Sequence, residues 1–314
     1  MEYTELGKTG IRVSRLCFGA LTMGPLQAGL SPEAAGEVMA YAFSKGVNHV
    51  DTAQLYGCYP HIREALKRTR GDIVVSSKTY AYEYDAAMEA VEEARRALGR
   101  DVIDLFMLHE QESELTLRGH AAALEALYDC KSRGIIRAVG ASMHHIAAVD
   151  GAVKLGLDFI HPMLNVAGLG IVDGTREEME RAVENAHARG LGVFSMKALG
   201  GGNLHRRAAE CFDYILSRSY VDSVAVGMQS ADEVDANLRY FSERRFTAED
   251  ERRLGEKRRS LHIDDWCAGC GRCAAHCPQH ALSVKDGRAC CDRSKCVLCG
   301  YCAAFCPDFA IKVV

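Results

Sequence analysis

Short apolar runs alternate with longer segments of helical periodicity over the first 241 residues of the chain. Such runs predict buried strands, and the amphipathic segments between them predict helices. Because strands that alternate with helices pair in parallel, eight such repeats favour a closed (β/α)8 TIM barrel over an open sheet. The predicted strands lie near residues 16–20, 47–51, 72–77, 102–108, 135–141, 157–161, 191–196 and 222–226. The predicted helices follow Ser31 and then lie near residues 60–68, 85–98, 119–132, 145–155, 175–188, 206–218 and 231–241.

Local sequence signals indicate a hairpin before the barrel and the start of its first helix. Residues 2–15 turn at Gly7–Gly10, which is typical of a β-hairpin before the first barrel strand. Ser31 is a good N-cap and is followed by a proline, so the first helix is expected to begin there. His144 and His145 begin a later helix and are expected to face solvent. No Gly-x-Gly-x-x-Gly follows a strand, which disfavours an open dinucleotide-binding sheet.

Three successive predicted strands end in an ionisable side chain: Asp51, Lys78 and His109, with Tyr56 just beyond the first. The carboxyl ends of parallel barrel strands meet at the catalytic face, so these four residues are expected to lie together. An ammonium beside a phenol lowers the phenol pKa, a carboxylate holds the ammonium, and a histidine can orient a substrate oxygen. The four residues therefore predict proton delivery to a carbonyl, whereas any one alone is compatible with an ordinary polar group at a strand end.

The segments around these residues resemble the aldo/keto reductases. VDTAQLYG at 50–57, SSK at 76–78 and DLFMLH at 104–109 are similar to the segments that carry the Asp, Tyr, Lys and His of that family. The resemblance covers about residues 1–241 and implies a (β/α)8 barrel whose base is covered by the hairpin. It also implies an oxidoreductase that interconverts carbonyls and alcohols with a nicotinamide cofactor, in which the four residues are the catalytic tetrad.

The same resemblance implies a nicotinamide pocket at the ends of the later strands. Met143 stands where an asparagine is usual in the family, and His161 stands where a glutamine is usual. Met196 takes the place of an aromatic residue that often stacks on the nicotinamide, and a methionine can cover a flat ring by dispersion. The positions that the resemblance assigns to the cofactor are Ser142, His161, Asn165, Met196, Lys197 and Asn237.

The segment 227–237 resembles the adenosine-binding segment of the family and bears on the choice of nucleotide. It carries Asp232, Glu233 and Asp235 but no Lys or Arg. Carboxylates repel a phosphate dianion, whereas they accept hydrogen bonds from ribose hydroxyls. NAD(H) is therefore expected in preference to NADP(H).

Residues 242–263 form a charge-rich segment after the last predicted barrel element. Thr247 and Asp250 fit a capping box, so part of the segment is expected to be helical. A charge-rich helix usually bridges domains or faces water. The segment is therefore predicted to be a charged helical linker between a barrel of residues 1–241 and a small domain of residues 264–314.

Two runs of four cysteines with the same spacing occur in this small domain. Each run has the pattern C-x2-C-x2-C-x3-C-P, in which three cysteines bind one [4Fe-4S] cluster and the fourth binds the other. The domain resembles the two-cluster bacterial ferredoxins, which have an α+β fold. Two zinc sites are the alternative, although zinc favours paired C-x2-C knuckles. The predicted ligands are Cys267, Cys270, Cys273 and Cys306 for one cluster, and Cys296, Cys299, Cys302 and Cys277 for the other.

Composition limits the remaining possibilities. With 314 residues and 48% hydrophobic content, the chain can form a large barrel and a small appended domain. A net charge of −4 gives no indication of nucleic-acid binding. No segment has the layout of a signal peptide or the length of a membrane span, so a cytoplasmic protein is expected. Clustered cysteines in a reducing cytosol indicate metal binding rather than disulfides.

Two classes of function are compatible with these observations. The first is an oxidoreductase that acts on a small carbonyl or alcohol and exchanges electrons with a partner redox protein through its clusters. The second is an electron-transfer protein in which the barrel is a docking scaffold. The intact tetrad favours the enzyme, whereas the departures at Met143, His161 and Met196 favour the scaffold. Clusters move one electron at a time, nicotinamide moves a hydride, and no flavin motif connects the two.

Overall fold

The computed structural model describes residues 1–314 and contains a closed barrel of eight parallel strands, as the sequence predicts. The strands pair in chain order, and the last closes on the first through pairs such as Val226 with Phe18. The hairpin strands are β1 (Tyr3–Glu5) and β2 (Arg12–Ser14). The barrel strands are β3 (Leu16–Gly19), β4 (His49–Asp51), β5 (Val74–Thr79), β6 (Ile103–Gln111), β7 (Ile136–Met143), β8 (Phe159–Pro162), β9 (Gly192–Met196) and β10 (Ser223–Gly227).

Helices surround the barrel, and Ser31 caps the first of them by accepting a hydrogen bond from the Ala34 amide. The segment predicted as one helix over 119–132 is preceded by a separate short helix, because Ser113 forms a capping box and starts that helix early. None of the helices has both the length and the apolar composition that crossing a membrane requires. The barrel helices are α1 (Pro32–Ser44), α2 (Tyr59–Lys67), α3 (Tyr84–Leu98), α4 (Glu114–Gly119), α5 (Ala121–Ser132), α6 (Ile146–Leu155), α7 (Arg176–Ala188), α8 (Ala208–Leu216) and α9 (Ala231–Glu243).

Two apolar clusters hold the barrel together. Nine buried residues fill the base inside the strands, where Leu6, Ile11 and Val13 of the hairpin region pack with Phe159 and Phe194. A larger cluster of 59 buried residues joins the strands to the surrounding helices. The hairpin closes the base, so the carboxyl ends of the strands, at the opposite face, are left for a functional site.

The linker contains the predicted helix and ends earlier than expected. Helix α10 (Ala248–Glu256) begins with a capping box in which Thr247 and Asp250 bond reciprocally, as the sequence predicts. The last three residues of the expected linker form a strand instead, β11 (Leu261–Ile263). Because β11 pairs with the last strand of the chain, these residues are part of the C-terminal sheet.

The C-terminal domain consists of two small antiparallel sheets and two single-turn helices. Each helix follows a glycine in the left-handed conformation, Gly271 at φ 74° and Gly300 at φ 76°. Glycine adopts this conformation without the steric cost of a Cβ atom. The domain core contains eight buried residues. The remaining elements are α11 (Arg272–Ala275), β12 (Leu282–Lys285), β13 (Arg288–Cys291), α12 (Tyr301–Ala304) and β14 (Ile311–Val313), with β11 paired to β14 and β12 to β13.

The C-terminal domain is docked on the loop that follows β9. The Val313 amide donates a hydrogen bond to the Gly201 carbonyl at 3.0 Å, and the Asn203 side chain donates to the Ile311 carbonyl at 2.9 Å. Gly202 is required at the contact: its φ is +82°, and a Cβ atom there would lie 2.0 Å from the Val313 carbonyl oxygen. The small domain therefore lies at the carboxyl face of the barrel.

Candidate active site

A buried ion pair lies at the carboxyl ends of β4 and β5. The Lys78 Nζ atom is 2.7 Å from both carboxylate oxygens of Asp51 and 2.8 Å from the Thr52 carbonyl oxygen. The Ser76 hydroxyl donates to the same carboxylate at 3.0 Å. Lys78 is 1% exposed and Asp51 is 5% exposed. Buried charges are tolerated when they are paired and hydrogen-bonded, and these contacts meet that condition.

Tyr56 lies beside this ion pair on a short turn after β4. Its ring centroid is 5.0 Å from the Lys78 Nζ atom, and its hydroxyl is 3.4 Å from the Nε2 atom of His109 on β6. The Tyr80 ring stacks on His109 with 4.4 Å between centroids and holds the imidazole in this orientation. The structure thus brings Asp51, Tyr56, Lys78 and His109 together in one group.

The pKa of Tyr56 is shifted in the opposite direction from the one that the sequence predicts. Burial raises the pKa of Tyr56 well above its ordinary value, and the charge of Asp51 raises it further. The expected net lowering of this pKa is wrong, because burial outweighs the effect of an ammonium that is paired with Asp51. Burial lowers the pKa of His109 well below its ordinary value, and the charge of Lys78 adds to this. At neutral pH the phenol keeps its proton and the imidazole is neutral.

His161 ends β8 and extends the polar group toward the centre of the barrel. Its Nε2 atom is 3.7 Å from a carboxylate oxygen of Asp51, and its Nδ1 atom is 2.6 Å from the Phe194 carbonyl oxygen. The Phe194 ring stacks on the imidazole with 3.9 Å between centroids. Burial lowers the pKa of His161, so the imidazole adds no charge at neutral pH.

One cavity lies beside the tetrad at the carboxyl face of the barrel. Its wall includes Asp51, Tyr56 and His161 on one side and Gln229 and Glu233, which follow β10, on another. A cavity that joins the tetrad to this segment suits an elongated ligand such as a dinucleotide. The C-terminal part of the chain supplies one wall, through Lys257, Arg259, Lys312, Val313 and Val314.

Three of the predicted cofactor residues, His161, Met196 and Lys197, line this cavity. The Lys197 backbone has φ 60°, and its Nζ atom lies 2.9 Å from the Nε2 atom of His144. The expectation that His144 faces solvent is therefore wrong. It is half-buried between Lys197 and Phe309, whose ring centroid is 6.2 Å away. Burial, followed by the charge of Lys197, lowers the pKa of His144 well below its ordinary value.

The other three predicted cofactor residues do not form part of the cavity wall. Ser142 is fully buried, and its hydroxyl accepts a hydrogen bond from the Glu110 amide at 2.8 Å. Asn165 is also fully buried, and it bonds to the loop that follows it, including the Leu169 carbonyl at 2.9 Å. Asn237 is buried on α9. In this structure these side chains support the loops and the helix around the cavity.

In the segment that is predicted to select the nucleotide, a carboxylate is paired with cations from the linker. The Lys257 Nζ atom lies 2.5 Å from a carboxylate oxygen of Glu233, and an Arg259 guanidinium nitrogen lies 3.8 Å from the same oxygen. The other Glu233 oxygen accepts a hydrogen bond from the Gln229 amide at 2.7 Å. The segment itself has no Lys or Arg, but Lys257 reaches Glu233 from 24 positions later in the chain.

The predicted ligand cysteines form two neighbouring sets in the C-terminal domain. Burial raises the pKa of Cys273, and the neighbouring thiols that raise it further are those of Cys306, Cys267 and Cys270. Burial raises the pKa of Cys302 to about 12, and the thiols that act on it are those of Cys299, Cys273, Cys296 and Cys277. Each set includes the fourth cysteine of the other run, an arrangement that suits alternating ligation of two clusters.

Further features of this domain suit a metal cluster. Backbone amides point at the fourth cysteine of each run, with the Ala281 nitrogen 3.3 Å from the Cys277 sulfur and the Ala310 nitrogen 3.2 Å from the Cys306 sulfur. A small cavity is lined by one complete predicted set, Cys277, Cys296, Cys299 and Cys302.

Sequence reasoning missed the residues that the C-terminal region contributes to the barrel cavity. Lys312 lies just after the second cysteine run, and Lys257 and Arg259 lie in the charged linker. The motifs in those segments indicate cluster binding and a solvated helix. No local signal indicates that they return to the mouth of the barrel.

The fold and the site together define a (β/α)8 barrel oxidoreductase fused to a small iron–sulfur-type domain. Comparison with known families agrees: the model of the aldo/keto reductase family matches residues 15–213, and that of the 4Fe-4S binding domain matches residues 262–283 and 292–312. The chain belongs to the aldo/keto reductase family and carries a C-terminal 4Fe-4S domain.

The individual relatives have low sequence identity to this chain. The chain is 24% identical to L-galactose dehydrogenase of Arabidopsis thaliana over 301 residues, which covers 82% of this chain and 93% of that protein. It is 28% identical to the aldo-keto reductase YhdN of Bacillus subtilis over 166 residues, about half of each chain at 48% and 49%. A putative aldo-keto reductase of Pseudomonas aeruginosa has a similar fold, with a TM-score of 0.67, 22% identity, and coverage of 77% of this chain and 94% of that one.

Proposed function

We propose that this chain interconverts a small-molecule carbonyl compound and its alcohol with a nicotinamide cofactor. The observation that carries the proposal is the position of Tyr56, between the Lys78–Asp51 ion pair and the imidazole of His109, on the wall of a cavity that suits a dinucleotide. Relatives named L-galactose dehydrogenase and 6-dehydroglucose reductase support this class of reaction. The barrel of residues 1–241 carries the chemistry in this proposal.

Tyr56 is the proposed proton donor. The nicotinamide, when bound, supplies a hydride to the carbonyl carbon. Burial raises the pKa of Tyr56, so its hydroxyl holds a proton at neutral pH and can donate it to the carbonyl oxygen as negative charge develops there. His109 orients that oxygen. Lys78, held by Asp51, then stabilises the resulting phenolate, because its ammonium lies 5.0 Å from the ring.

We propose NAD(H) as the cofactor, with Glu233 as the residue that selects it. The Gln229 amide and Lys257 hold the Glu233 carboxylate in place at the end of the cavity. A fixed carboxylate accepts hydrogen bonds from ribose hydroxyls and repels a 2′-phosphate. Met196 and Lys197 lie on the wall of the same cavity, where they can contact the rest of the nucleotide.

We further propose that the C-terminal domain binds two [4Fe-4S] clusters and exchanges electrons with a separate redox protein. The clusters, when bound, supply one-electron transfer, and a reducing cytoplasm keeps the thiols available for them. Trp266, Tyr301 and Phe305 expose large aromatic surfaces on this domain, which supports contact with a partner. The proposed ligands are Cys267, Cys270, Cys273 and Cys306 for one cluster, and Cys296, Cys299, Cys302 and Cys277 for the other.

Anaerobic carbonyl reduction by the iron-loaded chain with NADH tests the enzymatic proposal. Tyr56→Phe keeps the ring and removes the proton, so the rate should fall by a factor on the order of 10²–10⁴ while NADH affinity changes little. Tyr128→Phe, on the outer helix α5, is a control that should keep the original rate. Full activity of the Tyr56 variant contradicts the role of the phenol. Failure of NADH to bind at millimolar concentration contradicts the proposal and favours the scaffold alternative.

A pH profile gives an independent measurement of the same role. Burial raises the pKa of Tyr56, so the protonated phenol persists through neutral and mildly alkaline pH. Carbonyl reduction should therefore show no loss from Tyr56 ionisation in that range. Alcohol oxidation needs the phenolate as a base, so its rate should increase with pH. The increase of the oxidation rate with pH should disappear in Tyr56→Phe, and its persistence there would assign it to another group.

A further inference from the structure

The C-terminal domain completes the wall of the barrel cavity. Its last strand, β14, places Lys312 and Val313 on that wall. The Val313 amide bonds to the Gly201 carbonyl at 3.0 Å, which holds the strand against the loop that follows β9. Gly201 and Gly202 of that loop line the same cavity. The cavity is therefore shared by two domains, and it is complete only when they are docked.

Two lysines of this wall, one from each domain, lie against the same aromatic ring. The Nζ atom of Lys197, from the barrel, is 4.9 Å from the ring centroid of Phe309. The Nζ atom of Lys312, from the C-terminal domain, is 3.7 Å from the same centroid. The charge of Lys312 is close enough to lower the pKa of Lys197, after the larger effect of burial. The two ammonium groups thus form one cationic site.

Negative charge in the protein pairs with only one of these two lysines. Lys197 has no carboxylate within ion-pair distance, and its polar contact is the Nε2 atom of His144. Lys312 bonds to the Phe309 carbonyl and lies 3.5 Å from a carboxylate oxygen of Asp264. Burial and the charge of Lys312 lower the pKa of Lys197 to about 7. A buried charge without a counter-ion is costly, so an anionic ligand placed between the lysines stabilises the site.

The charge of the proposed cofactor indicates which group the lysines bind. Lys197, Lys312 and Gly201 line the same cavity as Tyr56 and Glu233. The negative charge of NAD(H) is on its diphosphate, so the diphosphate is the part of the cofactor that attracts these lysines. Lysine ammonium groups and backbone amides are common ligands of phosphate oxygens.

We propose that Lys197 and Lys312 together bind the diphosphate of the nicotinamide nucleotide, so that the C-terminal domain supplies part of the cofactor site of the barrel. This inference rests on the proposed nicotinamide dependence. It gives the small domain a binding role in addition to electron transfer. It also explains why β14 is held against the glycine loop, because that contact brings Lys312 to the cavity.

Binding of ADP-ribose to the iron-loaded chain, measured by calorimetry, tests the inference. ADP-ribose contains the diphosphate and lacks the nicotinamide. Lys197→Gln and Lys312→Gln should each weaken its binding about tenfold or more, since each removes a charge-assisted contact. Lys312→Arg keeps the charge and should retain most of the affinity. Lys285→Gln removes the same charge from an exposed site on β12 of the same domain and should bind as the original chain does.

Iron and sulfide contents equal to those of the original chain show that each variant retains its C-terminal domain. If Lys312→Gln loses iron, the ADP-ribose affinities of Lys197→Gln and Lys312→Arg show whether the lysines bind the diphosphate. Unchanged ADP-ribose affinity in both glutamine variants overturns the inference, even if NADH-dependent reduction proceeds. An effect confined to the KM of an acidic substrate assigns the lysines to a substrate carboxylate and also overturns it. If the original chain binds neither ADP-ribose nor NADH, the proposed nicotinamide dependence itself fails.

Discussion

The barrel and the C-terminal domain hold their functional side chains in different ways. In the barrel, Asp51 and Lys78 neutralise each other on a scaffold with apolar clusters of 59 and nine buried residues. In the C-terminal domain the core has eight buried residues, and six of the ligand cysteines belong to it or pack against it. A core of that size contributes little stability, so bound metal is expected to supply much of the folding energy. We therefore expect the proposed catalytic residues to come together when the barrel folds, and the cysteine sites and their domain to form together with iron.

Removal of iron should give the largest difference between the two regions. The intact chain should contain about eight irons and eight acid-labile sulfides, as two [4Fe-4S] clusters require. Chelation under reducing conditions should unfold the C-terminal domain and leave the barrel folded. Hydrogen exchange followed by mass spectrometry should then show fast exchange in β11–β14 and unchanged protection in β3–β10.

Replacement of a single cysteine tests which cysteines bind which cluster. Cys277→Ala should lose iron mainly from the cluster assigned to the later cysteine run, because Cys277 is its fourth ligand. Cys290→Ala is the matched control, since Cys290 lies on β13 outside both runs. Stoichiometric zinc in protein prepared without oxygen contradicts the cluster assignment. Unfolding of the barrel on chelation contradicts its independence from the metal.

The next largest effect should come from the ion pair of the barrel. Asp51→Asn leaves the Lys78 ammonium buried without its counter-charge, and breaking a buried pair costs about 3–5 kcal/mol. Urea denaturation followed by circular dichroism should report this loss of stability. Glu249→Gln, which breaks exposed pairs to Arg252 and Arg253 on α10, is the control and should leave stability unchanged. Equal effects of the two substitutions would show that burial of Asp51 and Lys78 has no energetic consequence.

Much of the barrel could be predicted because its signals are local. Each strand and helix has its own periodicity, and chain order with parallel pairing brings Asp51, Lys78 and His109 to one face. The predicted bounds of a helix are wrong by a few residues where a capping residue lies outside the expected range. Ser113, for example, caps a helix that begins before residue 119. The cysteine spacing is also local, and the structure brings the two runs together.

The rest could not be predicted because it depends on contacts between distant segments. Lys312 and Lys257 reach the barrel cavity only through the docking of β14 and the path of the linker. The contact of Lys197 with His144 depends on a left-handed backbone at Lys197, which no motif announces. The direction of the Tyr56 pKa shift depends on two opposing effects. Burial raises the pKa, and the effect of the Lys78 ammonium is reduced because it is paired with Asp51.

A smaller effect should follow from separating the two regions at their contact. Gly202→Ala places a Cβ atom on a residue with φ +82° and 2.0 Å from the Val313 carbonyl oxygen. The left-handed conformation alone costs about 1–2 kcal/mol, and the close contact forces β14 away from the loop. Trypsin should then cleave the linker near Arg258 faster than in the original chain. Gly119→Ala, where the added methyl meets nothing within 4 Å, should not change the cleavage rate.

The smallest predicted effect concerns the choice of nucleotide where the linker meets the barrel. Glu233→Gln removes the carboxylate and frees Lys257 and Arg259 to contact a 2′-phosphate. The ratio of NADH to NADPH affinity, measured by fluorescence titration, should shift toward NADPH by about tenfold. Asp235→Asn changes the same charge on α9, where the carboxylate accepts a hydrogen bond from the Tyr41 hydroxyl, and should leave the ratio unaltered. An unchanged ratio in Glu233→Gln would remove Glu233 from nucleotide selection.

The central claim is that hydride passes directly from the nicotinamide to the carbonyl carbon in the barrel, and that the clusters do not take part in this step. Reduction of a carbonyl substrate with NADH that carries two deuterium atoms at C4 tests it most directly, with the product analysed by mass spectrometry. Direct transfer predicts one deuterium on the carbinol carbon of every product molecule, in normal water. Product whose carbinol hydrogen comes from the solvent would contradict the account, because it would show that electrons reach the substrate separately, through the clusters.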